Sequence, residues 1–347
     1  VMTGPDFPLE TLRADPGRAQ LLIDGATRGV PRRALRVLDT VSRRWLAKWN
    51  HAHLAEIDLI ANELGRPGAY FLSVNYEWGC TTGVRMAPDG GAARLVRVLD
   101  WRTPGLGRHV IAADVDGPAG RFITLTWPGY TGVLQASAPG RFAGAINQAP
   151  MPRGGGGVYP FDWLANKIRL WKMPHPTPAH VLRTAFEQAP DFRAARAMLI
   201  ETPIAAPVIF ALAGLHGDEV CIIERQEDEA YVYDGPSAAA NAWQGPVWSG
   251  RPRGADSVGR VTQMASLRDG FGAPAGWLSP PILNDLTRLA MVAEPATGRL
   301  VAQGFESRRA VTAPLSMGVK SSTGPQDEQG RADDVCSQPL ETRGDAS

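Results

Sequence analysis

The chain has few cysteines and no long apolar run. Its 347 residues include three cysteines, Cys80, Cys221 and Cys336, too few for a disulfide framework at this length. We therefore expect a reducing compartment. Because no stretch of about 18 apolar residues occurs, we expect no integral membrane segment. Residues 1–22 contain acids and prolines but no basic stretch before an apolar one, so we predict no signal peptide and a cytoplasmic location.

An excess of charge of one sign is also missing. The formal net charge is +1, which gives no electrostatic reason to expect nucleic acid or an anionic membrane surface as a partner. The sequence contains no HExxH, CxxC or Walker-type glycine loop. His51 and His53 lie close together but lack a Cys or Glu at metal-ligand spacing, and His175 and His180 flank the Pro-rich entry to a helix. We expect no cofactor and no metal.

The hydrophobic content of 44% is enough for a substantial core in one large domain or two smaller ones. Before residue 80 the apolar spacing predicts helices over 32–50 and 54–64 and a strand over 70–76. Afterwards strands separated by turns predominate, and we predict them over 81–86, 93–99, 121–127, 131–135, 141–147, 208–212, 220–224, 230–233 and 300–305. Helices are predicted over 178–189, 191–201 and 282–290. Such an order, with little βαβ alternation, favours an α+β fold with mainly antiparallel sheets.

Cys80 is the strongest candidate for chemistry. It lies in the run NYEWGCTTG (75–83), and RVLDW (97–101) returns beside it if Pro88–Gly91 closes a hairpin. A guanidinium such as that of Arg97 favours the thiolate, and Gly79 has no Cβ, so the preceding peptide can be held in a strained geometry. The alternatives are a cysteine that packs as a small hydrophobe and an Arg97–Asp100 ion pair of structural value alone.

These two segments resemble the acid ceramidase and N-acylethanolamine acid amidase branch of the choloylglycine hydrolase family, which are N-terminal nucleophile (Ntn) hydrolases. Their motif is a cysteine that becomes N-terminal after self-cleavage, followed by Arg-Asn-(Met/Leu)-Asp. Here Val98 replaces the usual Asn, and the Cys-to-Arg spacing is one residue longer, which a longer turn would absorb. Weaker similarity covers Gly144–Gln148, with Gln148 where relatives often have an acid, Asn241–Trp243 and Ser257–Arg260.

The resemblance implies an α+β Ntn-hydrolase αββα sandwich of two antiparallel sheets flanked by helices. It also implies self-cleavage between Gly79 and Cys80. The chain would then comprise a helical pro-segment 1–79, which stays packed as a small chain, and a catalytic domain 80–315. Independently of the resemblance, residues 316–347 are polar, rich in Gly, Ser, Asp and Gln and without periodicity, so we expect a disordered tail there.

The resemblance further implies a role for each site residue. The thiol of Cys80 would be the nucleophile and its new α-amine the base. Asp100 would hold that amine, and Arg97 would act on the thiol and the substrate carbonyl electrostatically. Asn241 and the Asn147 region would donate hydrogen bonds to the oxyanion, and Arg260 would complete the site.

The implied activity is hydrolysis of a linear amide C–N bond in a small-molecule, lipid-like N-acyl substrate through an acyl-thioester. The aromatic side chains either line an acyl pocket or belong to the core, and they are Trp78, Trp101, Trp127, Tyr130, Trp163 and Trp171. Two other functions stay open: a penicillin-type acyltransferase with the same nucleophile, and an unprocessed relative that binds a lipid or partner without catalysis. A homo-oligomer is compatible with the sequence.

Overall fold

Two β-sheets lie face to face in the computed structural model, which describes residues 1–74, 78–88, 90–267 and 272–318. The strands are β1 Met2–Thr3, β2 Trp78–Met86, β3 Ala93–Trp101, β4 Ile111–Gly117, β5 Gly120–Thr126, β6 Gln135–Ala138, β7 Phe142–Gln148, β8 Val208–Ala213, β9 Val220–Arg225, β10 Ala230–Asp234, β11 Ser237–Ala239, β12 Thr287–Glu294, β13 Arg299–Glu306, β14 Arg309–Ala310 and β15 Leu315–Met317. The helices are α1 Phe7–Ala14, α2 Pro16–Ala26, α3 Arg32–Lys48, α4 Leu54–Leu64, α5 Ala69–Val74, α6 Leu106–His109, α7 Tyr159–Lys172, α8 Pro178–Gln188, α9 Phe192–Glu201 and α10 Ser257–Ser266.

The first sheet has the order β1-β4-β5-β6-β7-β8-β9-β10, and the second β11-β2-β3-β12-β13-β14 with β15 beside β13. Pairing is antiparallel except between β1 and β4. One apolar core joins the inner faces. On the outer face of the first sheet, Phe186 of α8 stacks on Phe142 of β7 at 4.7 Å between ring centroids, while Met264 of α10 packs on the second sheet. The expected αββα sandwich is confirmed.

The β2–β3 hairpin carries the predicted nucleophile. Its register is unbroken from Trp78 opposite Trp101 to Met86 opposite Ala93, so the longer Cys-to-Arg spacing is taken up in the turn. Leu99 belongs to the core between the sheets, whereas Val98 packs in a second cluster under α10. Since neighbouring residues of a strand point to opposite faces, Val98, which departs from the family motif, lies on the face opposite to that of the Cys80 thiol.

The strand predicted over 70–76 is wrong for the part that the structure describes, because residues 69–74 form helix α5; residues 75–77 lie outside the described ranges. The reason is tertiary. Asp39 of α3 accepts hydrogen bonds from the backbone N–H of Gly68 at 2.6 Å and of Phe71 at 2.8 Å. A carboxylate that satisfies the first N–H groups of a helix stabilises it, and nothing local in this aromatic run signals that partner.

Two further expectations are wrong. Residues 282–290, predicted as a helix, form a turn followed by β12, because Asn284 closes the turn by accepting from Leu286 N at 2.9 Å. Of residues 131–135, predicted as a strand, only Gln135 lies in one. Here the backbone N–H of Val133 donates to Ala179 O at the start of α8 rather than to a neighbouring strand.

The sequence patterns also missed several elements, among them α1, α2, β4, α7 and α10. The predicted disordered tail 316–347 starts inside a strand, because Ser316 lies within β15. Residues 319–347 of that tail fall outside the described ranges. Within those ranges, every helix is too short or too polar to cross a membrane.

Candidate active site

Cys80 is fully buried in β2, opposite Leu99 of β3. Its Sγ lies 3.7 Å from the carbonyl oxygen of Ile146 on β7 of the facing sheet. Burial raises the pKa of the Cys80 thiol, while the charge of Arg97 and the backbone N–H of Gln148 oppose that rise. The continuous chain therefore holds a protonated thiol beside a cation that favours its ionisation.

The side of the hairpin that faces the first sheet carries Arg97, directly opposite Thr82. Nη1 of Arg97 donates to Oδ1 of Asn147 and, at 3.4 Å, to Oγ1 of Thr82. That hydroxyl donates to Asn147 Oδ1 at 2.7 Å. Nε and Nη2 of Arg97 are buried without a hydrogen-bond partner among the described residues. Because its charge is poorly compensated, the guanidinium acts strongly on nearby groups such as the thiol.

The other face of the hairpin meets Arg260 of α10. Nη1 of Arg260 donates to Cys80 O at 2.6 Å and to Thr81 Oγ1 at 3.0 Å, and lies 3.5 Å from Oδ2 of Asp100. Nη2 donates to Asn241 Oδ1 at 3.2 Å, and that oxygen also accepts from the backbone N–H of Cys80 at 2.7 Å. The backbone of Cys80 is thus held at both its N–H and its carbonyl.

Asp100 has two further partners that the sequence did not reveal. Asn284 Nδ2 donates to Oδ2 at 3.0 Å and Thr287 Oγ1 donates to Oδ1 at 2.9 Å. The sequence signal for these two partners is a short polar stretch before an apolar strand. It can be assigned to Asp100 only once the pairing of β12 with β3 is known. Arg97 and Asp100 bond to different partners on opposite faces of β3, so the simple ion pair between them is not what the structure holds.

Gly79 lies in regular β-strand opposite Asp100, and its φ is not among the positive values. The expected backbone strain is therefore not seen. A Cβ at Gly79 would lie 3.3 Å from Asp100 Cβ and 3.5 Å from its Oδ2, so the position needs space rather than an unusual conformation. Beside it, the N–H of Trp78 donates to Oε1 of Gln148 at 2.9 Å, which gives the neutral side chain at 148 a direct contact with the strand residues that precede Cys80.

The donor groups of the two asparagines already have partners in the continuous chain. Nδ2 of Asn241 donates to Gln148 O at 2.7 Å. Nδ2 of Asn147 donates to Ala239 O at 3.1 Å and Ala240 O at 3.2 Å. Both amides therefore position the backbone here, and their oxyanion role stays a prediction that requires one of these bonds to exchange.

Trp101 lines two cavities. One, of about 390 Å³, reaches Gly79 and Asp100; its other described walls are Trp78, Trp101, Arg102, Gln148, Met151, Tyr159, Arg251, Pro252, Arg253, Gly254, Ala255, Asn284 and Leu286. The other, of about 100 Å³, has largely apolar walls that include Leu22, Ile23, Ile60, Leu72, Trp101 and Trp127.

Four of the six candidate aromatic residues form one row. Ring centroids are 5.3 Å apart for Trp78–Trp101, 5.8 Å for Trp101–Trp127 and 6.4 Å for Trp127–Tyr130. Trp163 and Trp171 lie on α7 and are 41% and 36% exposed. The row adjoins the apolar cavity, whereas Trp163 of α7 lines a separate cavity of about 130 Å³ together with Trp78 and Ile146.

Comparison with known proteins finds similarity to acid ceramidase. The chain is 30% identical over 115 residues to acid ceramidase from Pan troglodytes and from Homo sapiens. Each match covers 33% of this chain and 27% of the relative, so the chain spans about a quarter of the length of the curated relatives it matches. No family model matches the chain.

Two solved structures are also similar. A Caenorhabditis elegans N-acylethanolamine-hydrolyzing acid amidase ortholog aligns at 20% identity with a TM-score of 0.49, over 62% of this chain and 93% of the other. Penicillin V acylase from Agrobacterium tumefaciens aligns at 11% identity with a TM-score of 0.34, over 65% and 83%.

The two-sheet sandwich with a buried cysteine on its central hairpin is the architecture expected of an Ntn hydrolase. The sequence matches to acid ceramidase confirm the predicted family resemblance.

Proposed function

We propose that the chain is a self-processing cysteine amidase that hydrolyses an N-acyl amide through an acyl-thioester on Cys80. The observation that carries this proposal is that side chains form hydrogen bonds with both the N–H and the carbonyl of Cys80. Its N–H, which self-cleavage would turn into an amine, donates to Asn241 Oδ1 at 2.7 Å, and its carbonyl accepts from Arg260 at 2.6 Å. A cysteine that acts only as a small core residue does not require two buried polar side chains to form hydrogen bonds with its backbone.

The first reaction is intramolecular. The Cys80 thiol adds to the carbonyl carbon of Gly79, the C–N bond to Cys80 breaks, and the thiol proton goes to the departing nitrogen. Water then hydrolyses the thioester and leaves a carboxylate on Gly79 and a free α-amine on Cys80. Arg97 assists because its charge lowers the cost of ionising a buried thiol. The products are the segment 1–79 and a chain that begins at Cys80.

In the processed enzyme the α-amine serves as the base. An α-amino group has a pKa of about 7.7–8.0, so a useful fraction is neutral near pH 7 and can take the thiol proton. Asn241 Oδ1, which already accepts from this nitrogen, would orient the amine, with Asp100 next to it on the strand opposite. The thiolate attacks the substrate amide, the amine product leaves with the proton, and water releases the acid.

The substrate class follows from the surroundings of the thiol. An apolar acyl group suits the aromatic row and the apolar cavity that Trp101 helps to line. The relatives that the chain matches are named for ceramide, which is an N-acyl amide. Amide hydrolysis on an apolar acyl group is therefore the activity that best fits the site.

Intact mass spectrometry and an amidase assay test the proposal together. We expect wild-type protein to divide between Gly79 and Cys80 on incubation and to hydrolyse a panel of N-acyl amides. Cys80→Ala should stay whole and inactive. Cys221→Ser is the matched thiol control and should behave as wild type, because burial raises the pKa of Cys221 to about 12 and leaves it protonated. Cys336→Ser should also retain activity.

Each other outcome has a clear meaning. A wild-type chain that stays uncut as long as Cys80→Ala would contradict self-processing and favour a non-catalytic binding protein. Acyl transfer to an added amine that exceeds hydrolysis would favour an acyltransferase with the same nucleophile. Hydrolysis by Cys80→Ala at the wild-type rate would contradict the mechanism.

A further inference from the structure

We propose that Glu224, a buried carboxylate outside the residues assigned to the site, is a positioning residue that holds the segment bearing Asn241 beside Cys80. This inference rests on the proposed self-processing function and deepens it. It depends on where Asn241 lies in the chain, on which groups bind that stretch of backbone, and on the cost of burying the Glu224 carboxylate.

Asn241 lies in a stretch of backbone without regular secondary structure. Strand β11 ends at Ala239 and helix α10 begins at Ser257. Between them, residues 240–256 form neither helix nor strand, except for the bridge of Arg251 with Met151. A strand residue is placed by the hydrogen-bond ladder of its sheet, but Asn241 is not. Its position therefore depends on groups that bind the backbone around it.

The backbone before Asn241 is held by Asn147. Nδ2 of Asn147 on β7 donates to the carbonyl oxygens of Ala239 at 3.1 Å and Ala240 at 3.2 Å. The carbonyl of Asn241 itself accepts from the N–H of Arg253 at 3.2 Å, later in the same irregular stretch. None of these bonds reaches the residues that directly follow Asn241.

Glu224 holds those residues. Its Oε1 accepts from the backbone N–H of Gln244 at 2.6 Å, and its Oε2 accepts from the hydroxyl of Tyr233 at 3.3 Å. Gly245 approaches the same pair closely, because a Cβ there would lie 2.6 Å from the Tyr233 hydroxyl oxygen. The backbone just after Asn241 is thus bound to the first sheet.

Glu224 and Asn147 lie in one row across that sheet. Asn147 of β7 is opposite Ile209 of β8, and Ile209 is opposite Glu224 of β9. Side chains directly opposite each other in antiparallel strands point to the same face, so both polar groups lie on the face that carries Asn147 to the second sheet. The row therefore binds the backbone on both sides of Asn241.

The carboxylate is costly where it lies. Glu224 is 1% exposed, and its hydrogen-bond partners among the described residues are neutral. Burial raises the pKa of the Glu224 carboxyl, although the hydrogen bonds from Gln244, Tyr233 and Gly245 oppose this. A buried carboxylate without a cation lowers stability, whereas a hydrogen bond from N–H to a carboxylate is stronger than a neutral one. Positioning of the bound backbone explains such a group better than packing does.

The consequence concerns the nitrogen that leaves in self-cleavage. Asn241 Oδ1 accepts from the Cys80 N–H at 2.7 Å and so orients this nitrogen while the thiol adds to the Gly79 carbonyl carbon. The C–N bond then breaks, the thiol proton goes to the nitrogen, and water hydrolyses the thioester. Misplacement of a group by about 1 Å can cost roughly 10²-fold in rate. Glu224 acts on this step through the placement of Asn241, without contact with the reacting atoms.

Self-cleavage of the full chain tests the inference, because this reaction needs no added substrate. We expect Glu224→Leu to lower the first-order rate of cleavage, followed by intact mass spectrometry, by about ten- to hundredfold. Glu224→Gln keeps an acceptor oxygen for the Gln244 N–H and should recover the rate to within about threefold of wild type. Tyr233→Phe leaves the carboxylate in place and should slow cleavage by about two- to fivefold. This milder variant decides the question should Glu224→Leu fail to fold.

A double-mutant cycle with Asn241→Ala shows whether Glu224 acts through Asn241. If it does, Glu224→Leu should slow cleavage by less than about twofold once Asn241 is replaced, because the effects of coupled residues do not add. Tyr233→Phe should lose its effect in the same background. Full additivity in both cycles would mean that Glu224 affects the reaction by another route, and would overturn the inference.

Glu219→Leu is the matched control for a general loss of stability. Glu219 also holds backbone N–H groups, those of Leu215 at 2.8 Å and His216 at 3.1 Å, but at the turn between β8 and β9. We expect this variant to cleave at the wild-type rate, even where urea unfolding shows a loss of stability as large as that of Glu224→Leu.

The remaining outcomes separate this inference from the proposed function. Wild-type rates in both Glu224→Leu and Tyr233→Phe, no recovery in Glu224→Gln, or an equal loss in Glu219→Leu would overturn the inference while leaving self-processing intact. A wild-type chain that stays uncut would overturn the proposed function and this inference with it.

Discussion

At the scale of single residues, Arg97 is the least ordinary group in the site. It is fully buried, it makes its hydrogen bonds to neutral Asn147 and Thr82, and two of its nitrogens make none to the described residues. A buried charge without a carboxylate partner costs folding free energy. Its retention is therefore best explained by what it does to the Cys80 thiol.

Replacement of Arg97 by Met separates these two effects. We expect self-cleavage to slow by at least about tenfold, since without the cation the pKa of the buried thiol rises further. The remaining activity should shift to higher pH for the same reason. Unfolding in urea should show no loss of stability, and a gain of up to about 4 kcal/mol is consistent with removal of a poorly satisfied buried charge. A marked loss of stability together with an unchanged pH profile would mean that Arg97 is structural.

At the scale of elements, helix α5 ends at Val74, four residues before β2 begins. Its first N–H groups bond to Asp39, which lies on α3 and is itself buried. Burial raises the pKa of Asp39, although its hydrogen bonds from the backbone oppose this. The helix that precedes the proposed cleavage site is therefore held by one side chain from a different helix.

Asp39→Ala should release that helix. We expect a loss of roughly 1–2 kcal/mol of unfolding free energy, the usual cost of removing a helix cap, and faster amide hydrogen exchange at Gly68 and Phe71. Asp39→Asn retains one acceptor oxygen and should lose less. Unchanged exchange at Phe71 in Asp39→Ala would show that α5 is held by its apolar contacts instead.

At the scale of the whole molecule, three imidazoles join the N-terminal helices to the sandwich. The ring of His180 on α8 lies 4.9 Å from His51 and 4.6 Å from His53 between centroids. Next to them, Glu56 on α4 bonds to Arg183 on α8 at 2.6 Å and lies 3.7 Å from His53. Burial, with the neighbouring charge of His53, lowers the pKa of His51 to about 4, and burial also lowers that of His180.

Acid should therefore weaken this contact. The unfolded His51 titrates near 6.5 and the folded one near 4, so between these values the unfolded state binds more protons, and stability falls as the pH drops from about 6.5 to about 4. Burial tends to raise the pKa of Glu56, but His53 and Arg183 together lower it, so Glu56 stays ionised over most of this window.

Thermal unfolding between pH 7.5 and 4.5 measures this effect. We expect Tm to fall below about pH 6.5, and to fall less steeply in His51→Gln, which cannot take up a proton. In self-cleaved protein, the same acidification should favour release of the segment 1–79. A constant Tm over this range, or equal slopes in the two proteins, would contradict the assignment.

The local part of the site could be predicted from the amino-acid sequence alone. Cys80, Arg97 and Asp100 could be recognised because they lie on one hairpin with a short turn, where the pairing of the two strands determines which residues are opposite each other. Alternation along the strands then follows without further information, since consecutive side chains point to opposite faces. The two-sheet sandwich was likewise readable from the succession of short strands and from the family resemblance.

The remaining contacts of the site depend on how distant segments of the chain pack together. Asn241 and Arg260 reach Cys80 across sequence separations of 161 and 180 residues, and Asn284 and Thr287 reach Asp100 because β12 pairs with β3. Helix α5 exists where an aromatic run predicted a strand, because Asp39 satisfies its N–H groups from another helix. Hydrogen bonds between distant segments depend on how sheets and helices pack, and local residue patterns do not predict that packing.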